Sequence, residues 1–137
     1  MNQIEDYIIV KNTISKEICQ SLVEENNKKE WKKHTWNNYA DGSNTSESTK
    51  ELDVMNCTRE QQDKITPALI RALDEYQKIA SWEGEKTTGQ WLTKFSPIRF
   101  NKYEVGTMMR RHYDHIHSIF DGKMKGVPIV SIVGNLN

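Results

Sequence analysis

The chain has 137 residues, enough for one domain with a substantial core. Its 19 lysines and arginines balance 19 aspartates and glutamates, which argues against general affinity for nucleic acid or anionic membranes. Two cysteines, Cys19 and Cys57, lie far apart and predict free thiols in a reducing compartment. The sequence shows no signal peptide and no apolar run near the ~20 residues of a membrane helix, so we expect a cytoplasmic protein with no membrane partner.

The N-terminal part of the sequence predicts a short strand and then a helix. Residues 7–10 form a β-branched run that is typical of a strand. Ser15 is suited to cap the helix that follows it. The apolar residues of this helix share one face: Ile18, Cys19, Leu22 and Val23. The basic stretch over residues 28–33 is interpreted as a solvated helix end, and His34 as an ordinary surface residue.

The middle of the sequence predicts a loop and a second helix. Residues 37–50 are polar and without periodicity, which indicates a mobile loop, either a simple connector or a flap over a binding cleft. Apolar residues then return at helical spacing over residues 58–80. Pro67 falls inside this helix and allows a second interpretation, in which Thr66 is the cap and Pro67 lies in the first turn.

The last third of the sequence predicts strands. Residues 98–103 alternate in polarity, which places Ile98, Phe100 and Lys102 on one face of a predicted strand. Gly106 permits a turn, and residues 108–114 can form a second extended piece. The apolar residues 127–133 predict a strand that is buried on at least one face.

This order of elements, helices first and strands afterwards, indicates an α+β chain. We expect a single domain over residues 1–137. Residues 1–90 would form a helical support region, and residues 91–137 would supply the first strands of a core sheet that is only partly present.

A histidine and an aspartate near the end of the chain could bind a metal ion. His112 and Asp114 stand two residues apart, so both side chains point the same way on an extended backbone. An imidazole and a carboxylate recur in the two-histidine, one-carboxylate face that binds Fe(II). His115 and His117 offer another arrangement, a local zinc or nickel site, which needs a bend near Asp114. A polar strand end without metal is the third interpretation, and spacing alone leaves all three open.

The segment over residues 103–114 carries a family resemblance. Its sequence, Tyr-Glu-Val-Gly-Thr-Met-Met-Arg-Arg-His-Tyr-Asp, resembles the iron-binding region of prolyl 4-hydroxylase-like Fe(II)/2-oxoglutarate-dependent dioxygenases. In that family a tyrosine is followed by a glycine three residues later and by His-x-Asp nine residues later, as here. The likeness extends weakly to the N-terminal strand and helix and to residues 127–137.

The resemblance implies a fold and a set of site residues. The fold would be N-terminal helices packed on a double-stranded β-helix core of the jelly-roll or cupin type. His112 and Asp114 would be two Fe(II) ligands. Tyr103 would lie near the metal and bind the cosubstrate through a hydrogen bond to a 2-oxoglutarate carboxylate.

The resemblance also implies a reaction and its partners. The cofactors would be Fe(II) and 2-oxoglutarate, with ascorbate as a further cofactor. The enzyme would use O₂ to hydroxylate a C–H bond, with proline in a peptide or protein as the expected substrate. The 2-oxoglutarate would be decarboxylated to succinate in the same reaction.

Two parts of the family pattern have no counterpart in this sequence, which ends at Asn137. They are a second ligating histidine and a basic residue that pairs with the far carboxylate of 2-oxoglutarate. We therefore expect the N-terminal part of such an enzyme, without its third ligand. Two other hypotheses stay open: a local histidine zinc site, and a non-enzymatic binding or assembly module whose open sheet edge is covered by a partner chain or a second copy.

Overall fold

The structure is a computed structural model, and it describes residues 8–37, 41–45, 50–80, 95–109, 111–112 and 130–136. These residues fall into two compact units. The first unit takes the described residues within Met1–Asn27, Arg59–Phe95 and Ile132–Asn137. The second takes those within Lys28–Thr58 and Ser96–Ser131.

Helix α1 (Lys16–Asn26) belongs to the first unit and begins where the sequence predicts. The Ser15 hydroxyl accepts a hydrogen bond from the amide of Ile18 at 3.4 Å, which satisfies one of the N–H groups that a helix start leaves unpaired. The predicted apolar face is confirmed, because Leu22 is completely buried. The other members of that face are half-buried: Ile18, Cys19 and Val23.

Helix α2 (Arg59–Ala80) confirms the second predicted helix. Pro67 lies inside it, so the interpretation that placed Pro67 in the first turn is wrong. A proline removes one amide from the hydrogen-bond ladder and disfavours a helix interior. Here the apolar face continues on both sides of the proline and stabilises the longer helix through burial of Ile65, Ala68 and Leu73.

Polar side chains at the C-terminal end of α1 connect it to the first turns of α2. Gln61 is almost fully buried, and its amide nitrogen donates to Asn26 Oδ1 at 2.7 Å and to Glu25 Oε2 at 3.2 Å. The ammonium of Lys64 binds Glu25 Oε1 at 2.6 Å. Buried amides are stable only when they are hydrogen-bonded, so these contacts fix how the two helices pair.

Two predicted strands are wrong in the parts that the structure describes. Residues 8–10 have no regular structure, and Val10 is 89% exposed. Residues 130–133 are likewise outside any strand, and Val133 is 90% exposed. β-branched residues favour strands where a neighbouring strand receives them, and neither run pairs with a strand among the described residues. Tyr7 and residues 127–129 lie outside the described residues.

A three-stranded antiparallel sheet forms the second unit. Its strands are β1 (Lys32–Lys33), β4 (Asp53–Asn56) and β5 (Arg99–Lys102), with β4 in the centre. The interpretation of residues 28–33 as a helix end is wrong, since α1 stops at Asn26 and Lys32 pairs with Val54.

A short hairpin occupies part of the predicted loop. Strand β2 (Trp36–Asn37) pairs with β3 (Asn44–Thr45). Gly42 has a φ of +70°, and the amide of Ser43 donates to Asp41 Oδ1 at 2.9 Å, as in other turns stabilised by an aspartate. Residues 38–40 and 46–49 lie outside the described residues, and the flap stays a prediction.

Strand β5 confirms the alternation predicted for residues 98–103. Phe100 is buried, whereas Arg99 and Asn101 are exposed. The predicted turn at Gly106 is also confirmed, because its φ of +86° is a conformation that glycine adopts without strain. The described residues after this turn, 107–109 and 111–112, belong to no strand.

The described residues thus combine helices with antiparallel strands. The single domain and the double-stranded β-helix core stay predictions. Both cysteines are free thiols, as predicted. No helix in the described part of the chain is both long enough and apolar enough to cross a membrane.

Truncation of Leu22 should destabilise the first unit. Because its side chain is completely buried, Leu22→Ala should lower the free energy of unfolding by about 2–5 kcal/mol. The exposed Val10 is the control, and Val10→Ala should change it by less than about 0.5 kcal/mol. Urea unfolding followed by circular dichroism measures both, and equal effects would contradict the described burial.

The ion pair between Glu25 and Lys64 should make stability depend on pH. The Lys64 ammonium and then the Ser21 hydroxyl lower the pKa of Glu25 from 4.5 to about 2. Because the folded-state pKa is the lower one, the stabilisation is complete above pH 4.5 and is lost as the pH falls toward 2.

The urea midpoints of the wild type and Glu25→Gln should therefore differ most near neutral pH and converge in acid. Glu24→Gln is the control, since Glu24 is exposed and binds the side chain of Gln20 within the same helix. A midpoint difference that is constant down to pH 2 would contradict the assigned pairing.

Candidate functional site

Residues 50–52, which we call the anchor segment, hold two other parts of the second unit through their backbone carbonyls. The carbonyl of Lys50 accepts a hydrogen bond from the amide of Met108 at 3.0 Å. The carbonyl of Glu51 accepts a hydrogen bond from the ammonium of Lys33 at 3.1 Å. The carbonyl of Leu52 accepts one from the amide of His34 at 2.9 Å. The anchor segment therefore fixes the chain both after β1 and before His112.

The side chain of Glu51, in the middle of the anchor segment, is buried and holds an indole. Trp36 Nε1 donates to Glu51 Oε1 at 2.7 Å. A hydrogen bond to an ionised carboxylate is short and stronger than one between neutral groups. Trp36 also begins β2, so both its backbone and its ring are held.

Two histidines pack against the ring of Trp36. The ring centroids of His34 and Trp36 are 4.6 Å apart with an interplanar angle of 82°. Those of Trp36 and His112 are 5.2 Å apart with an angle of 70°. Both contacts have the edge-to-face geometry that aromatic pairs prefer. We call His34, Trp36, Glu51 and His112 the Trp36 cluster.

His34 is buried, so its interpretation as a surface residue is wrong. It is 7% exposed, because it follows β1 and its backbone continues the pairing with β4. Its Nδ1 lies 3.6 Å from Glu51 Oε2, just beyond hydrogen-bond distance, and among the described residues neither atom has a hydrogen-bond partner. Burial lowers the pKa of His34, and the positive charge of Arg99 lowers it further. The carboxylate of Glu51 opposes that shift.

The structure describes two of the three residues predicted to bind metal and cosubstrate. His112 is exposed and belongs to the Trp36 cluster. Tyr103 follows β5 and is 56% exposed. Asp114 lies outside the described residues, as do His115 and His117. The shared face of His112 and Asp114 therefore stays a prediction.

The chemistry of His112 fits a metal ligand. Its side chain is exposed, and an imidazole is a common ligand of transition metals. Within the described residues, no three His, Cys, Asp or Glu side chains are grouped so that they could hold a metal ion. The proposed donor pair requires Asp114 as its second member.

Comparison with known proteins does not add to this description. The chain matches no family model, no curated protein and no solved structure.

The burial of His34 should be visible in its titration. Its pKa should lie below the ordinary 6.5 because burial disfavours the charged imidazolium. Glu51→Gln should lower the pKa further, since the Glu51 carboxylate raises it. The exposed Glu30 supplies the control, Glu30→Gln, which should leave the titration of His34 unchanged. Histidine ring resonances followed by NMR give the values, and a pKa above 6.5 in the wild type would refute the described burial.

Proposed function

We propose that this chain carries the iron-binding segment of an Fe(II)/2-oxoglutarate-dependent dioxygenase of the prolyl 4-hydroxylase type. The observation that carries the proposal is the motif over residues 103–114. The turn within it supports the proposal, because Gly106 has the positive φ that calls for glycine at that spacing. The exposed imidazole of His112 supports it as well.

His112 and Asp114 would hold Fe(II), as a neutral imidazole and an ionised carboxylate on one face of the ion. Tyr103, whose side chain is largely exposed, would donate its phenol hydrogen bond to a carboxylate of 2-oxoglutarate. When bound, Fe(II) with 2-oxoglutarate supplies the oxidising chemistry, and the protein supplies binding, orientation and exclusion of water.

The proposed substrate is a proline in a peptide or protein, with O₂ as the oxidant, ascorbate as accessory cofactor, and succinate and CO₂ as products of the cosubstrate. The proposed location is the cytoplasm, where free thiols such as Cys19 and Cys57 stay reduced.

Metal affinity tests this proposal directly. The purified chain should bind Mn(II), used as a redox-stable substitute for Fe(II), more tightly when 2-oxoglutarate is present. His112→Ala and Asp114→Ala should each weaken Mn(II) binding by about tenfold or more, because each removes a ligand. Titration calorimetry under reducing conditions measures the affinity.

Asp121→Asn is the matched control for Asp114, because it neutralises a carboxylate that follows the motif in the sequence and should leave Mn(II) affinity unchanged. Two results would contradict the proposal. Zinc binding that survives Asp114→Ala but not the double variant His115→Ala with His117→Ala would indicate the local histidine site. A dimer that responds to neither metal nor 2-oxoglutarate would indicate an assembly module.

A further inference from the structure

The side chains of His34 and Glu51 each present a buried polar atom without a hydrogen-bond partner. His34 is 7% exposed and Glu51 is 3% exposed. The atoms concerned are His34 Nδ1 and Glu51 Oε2, and among the described residues neither forms a hydrogen bond. Buried polar atoms are nearly always paired, because an unpaired one loses its interaction with water and gains nothing in return. Two such atoms in one place call for an explanation.

The two unpaired atoms lie opposite each other. They are 3.6 Å apart, about 0.6 Å more than the usual length of an N–H···O hydrogen bond. Because both atoms are buried, the pair must satisfy itself rather than bond to water. A small rotation of either side chain closes the gap, provided that one of the two atoms carries a proton. Without that proton, two lone pairs would face each other and repel.

The neighbours of this pair fix the orientation of both side chains. Trp36 Nε1 donates to the other carboxylate oxygen, Glu51 Oε1, at 2.7 Å, and an indole nitrogen can only donate. The backbone amide of His34 donates to the carbonyl of Leu52 at 2.9 Å. The His34 ring also packs on Trp36, with centroids 4.6 Å apart. The imidazole therefore has a defined place opposite Oε2.

The shared proton belongs to the imidazole nitrogen. A carboxylic acid gives up its proton more readily than the N–H group of a neutral imidazole does, and an ionised carboxylate only accepts hydrogen bonds. Burial and then the positive charge of Arg99 lower the pKa of His34, so its ring carries a single proton near neutral pH. With that proton on Nδ1 the pair forms a hydrogen bond. With the proton on Nε2 it cannot.

We propose that Glu51 accepts two buried hydrogen bonds, one from the indole of Trp36 and one from Nδ1–H of His34, and thereby fixes the tautomer of His34. The lone pair then lies on Nε2, which becomes the nitrogen through which His34 accepts a proton. A carboxylate bonded to one ring nitrogen also raises the basicity of the other. Neither a metal ion nor 2-oxoglutarate takes part, so this pair lies outside the proposed function.

NMR of the ring nitrogens of the wild type is the first test. A ring nitrogen that carries a proton resonates far from one that carries a lone pair. The resonances of His34 are assigned by through-bond correlation to its backbone and measured at about pH 8, above the ordinary pKa of a histidine. We expect the proton on Nδ1 and the lone pair on Nε2. A proton on Nε2, or on both nitrogens, would overturn the inference.

Glu51→Gln gives a sharper test, because an amide has one accepting atom and one donating atom. The indole of Trp36 can only donate, so the glutamine oxygen must accept that hydrogen bond and the glutamine NH₂ must face His34. His34 should then carry its lone pair on Nδ1 and its proton on Nε2, the reverse of the wild type. Retention of the Nδ1 proton in the folded variant would overturn the inference.

Glu30→Gln is the matched control, because it makes the same change at an exposed glutamate of the same unit and should leave the proton on Nδ1. If Glu51→Gln fails to fold, the tautomer of the wild type decides alone. The measurements are made without metal or 2-oxoglutarate, so their result is independent of the Mn(II) titrations that test the proposed function.

Discussion

The buried carboxylate of Glu51 is the constraint on which the second unit depends. Removing a charged carboxylate from water costs several kcal/mol unless hydrogen bonds replace the lost hydration. The indole N–H of Trp36 supplies one such bond at 2.7 Å. Because the indole must stay at that position, the rings of His34 and His112 that pack on it are placed as well. One buried carboxyl group therefore organises three aromatic side chains: Trp36, His34 and His112.

The sheet explains how residues distant in sequence meet at this carboxylate. The pairing of β1 with β4 brings His34 beside Leu52, one residue from Glu51. On the other side of β4, strand β5 leads into the turn at Gly106, and the chain then returns to the carbonyl of Lys50. The motif that suggested a metal site is thereby tied to the same segment that buries Glu51.

The sequence predicts correctly those features that depend only on neighbouring residues, such as a helix cap or a glycine turn. The cap of α1 at Ser15 and the turn at Gly106 need only their own side chains, and both are present. The burial of His34 could not be predicted, because it depends on Lys32–Lys33 pairing with a strand about twenty residues away, which a basic stretch does not signal. The opposite error occurred at residues 8–10, where an apolar run has no partner strand among the described residues. The Trp36–Glu51 contact has no periodic signal either, so the surroundings of His112 emerge only from the structure.

We propose that His112 and Asp114 bind one metal ion. Crystals grown with Mn(II), measured at a wavelength where manganese scatters anomalously, test it most directly. We expect one anomalous peak between the His112 imidazole and the Asp114 carboxylate, with the Trp36 ring packed against that imidazole. Two side chains that face apart, with no peak between them, would contradict it.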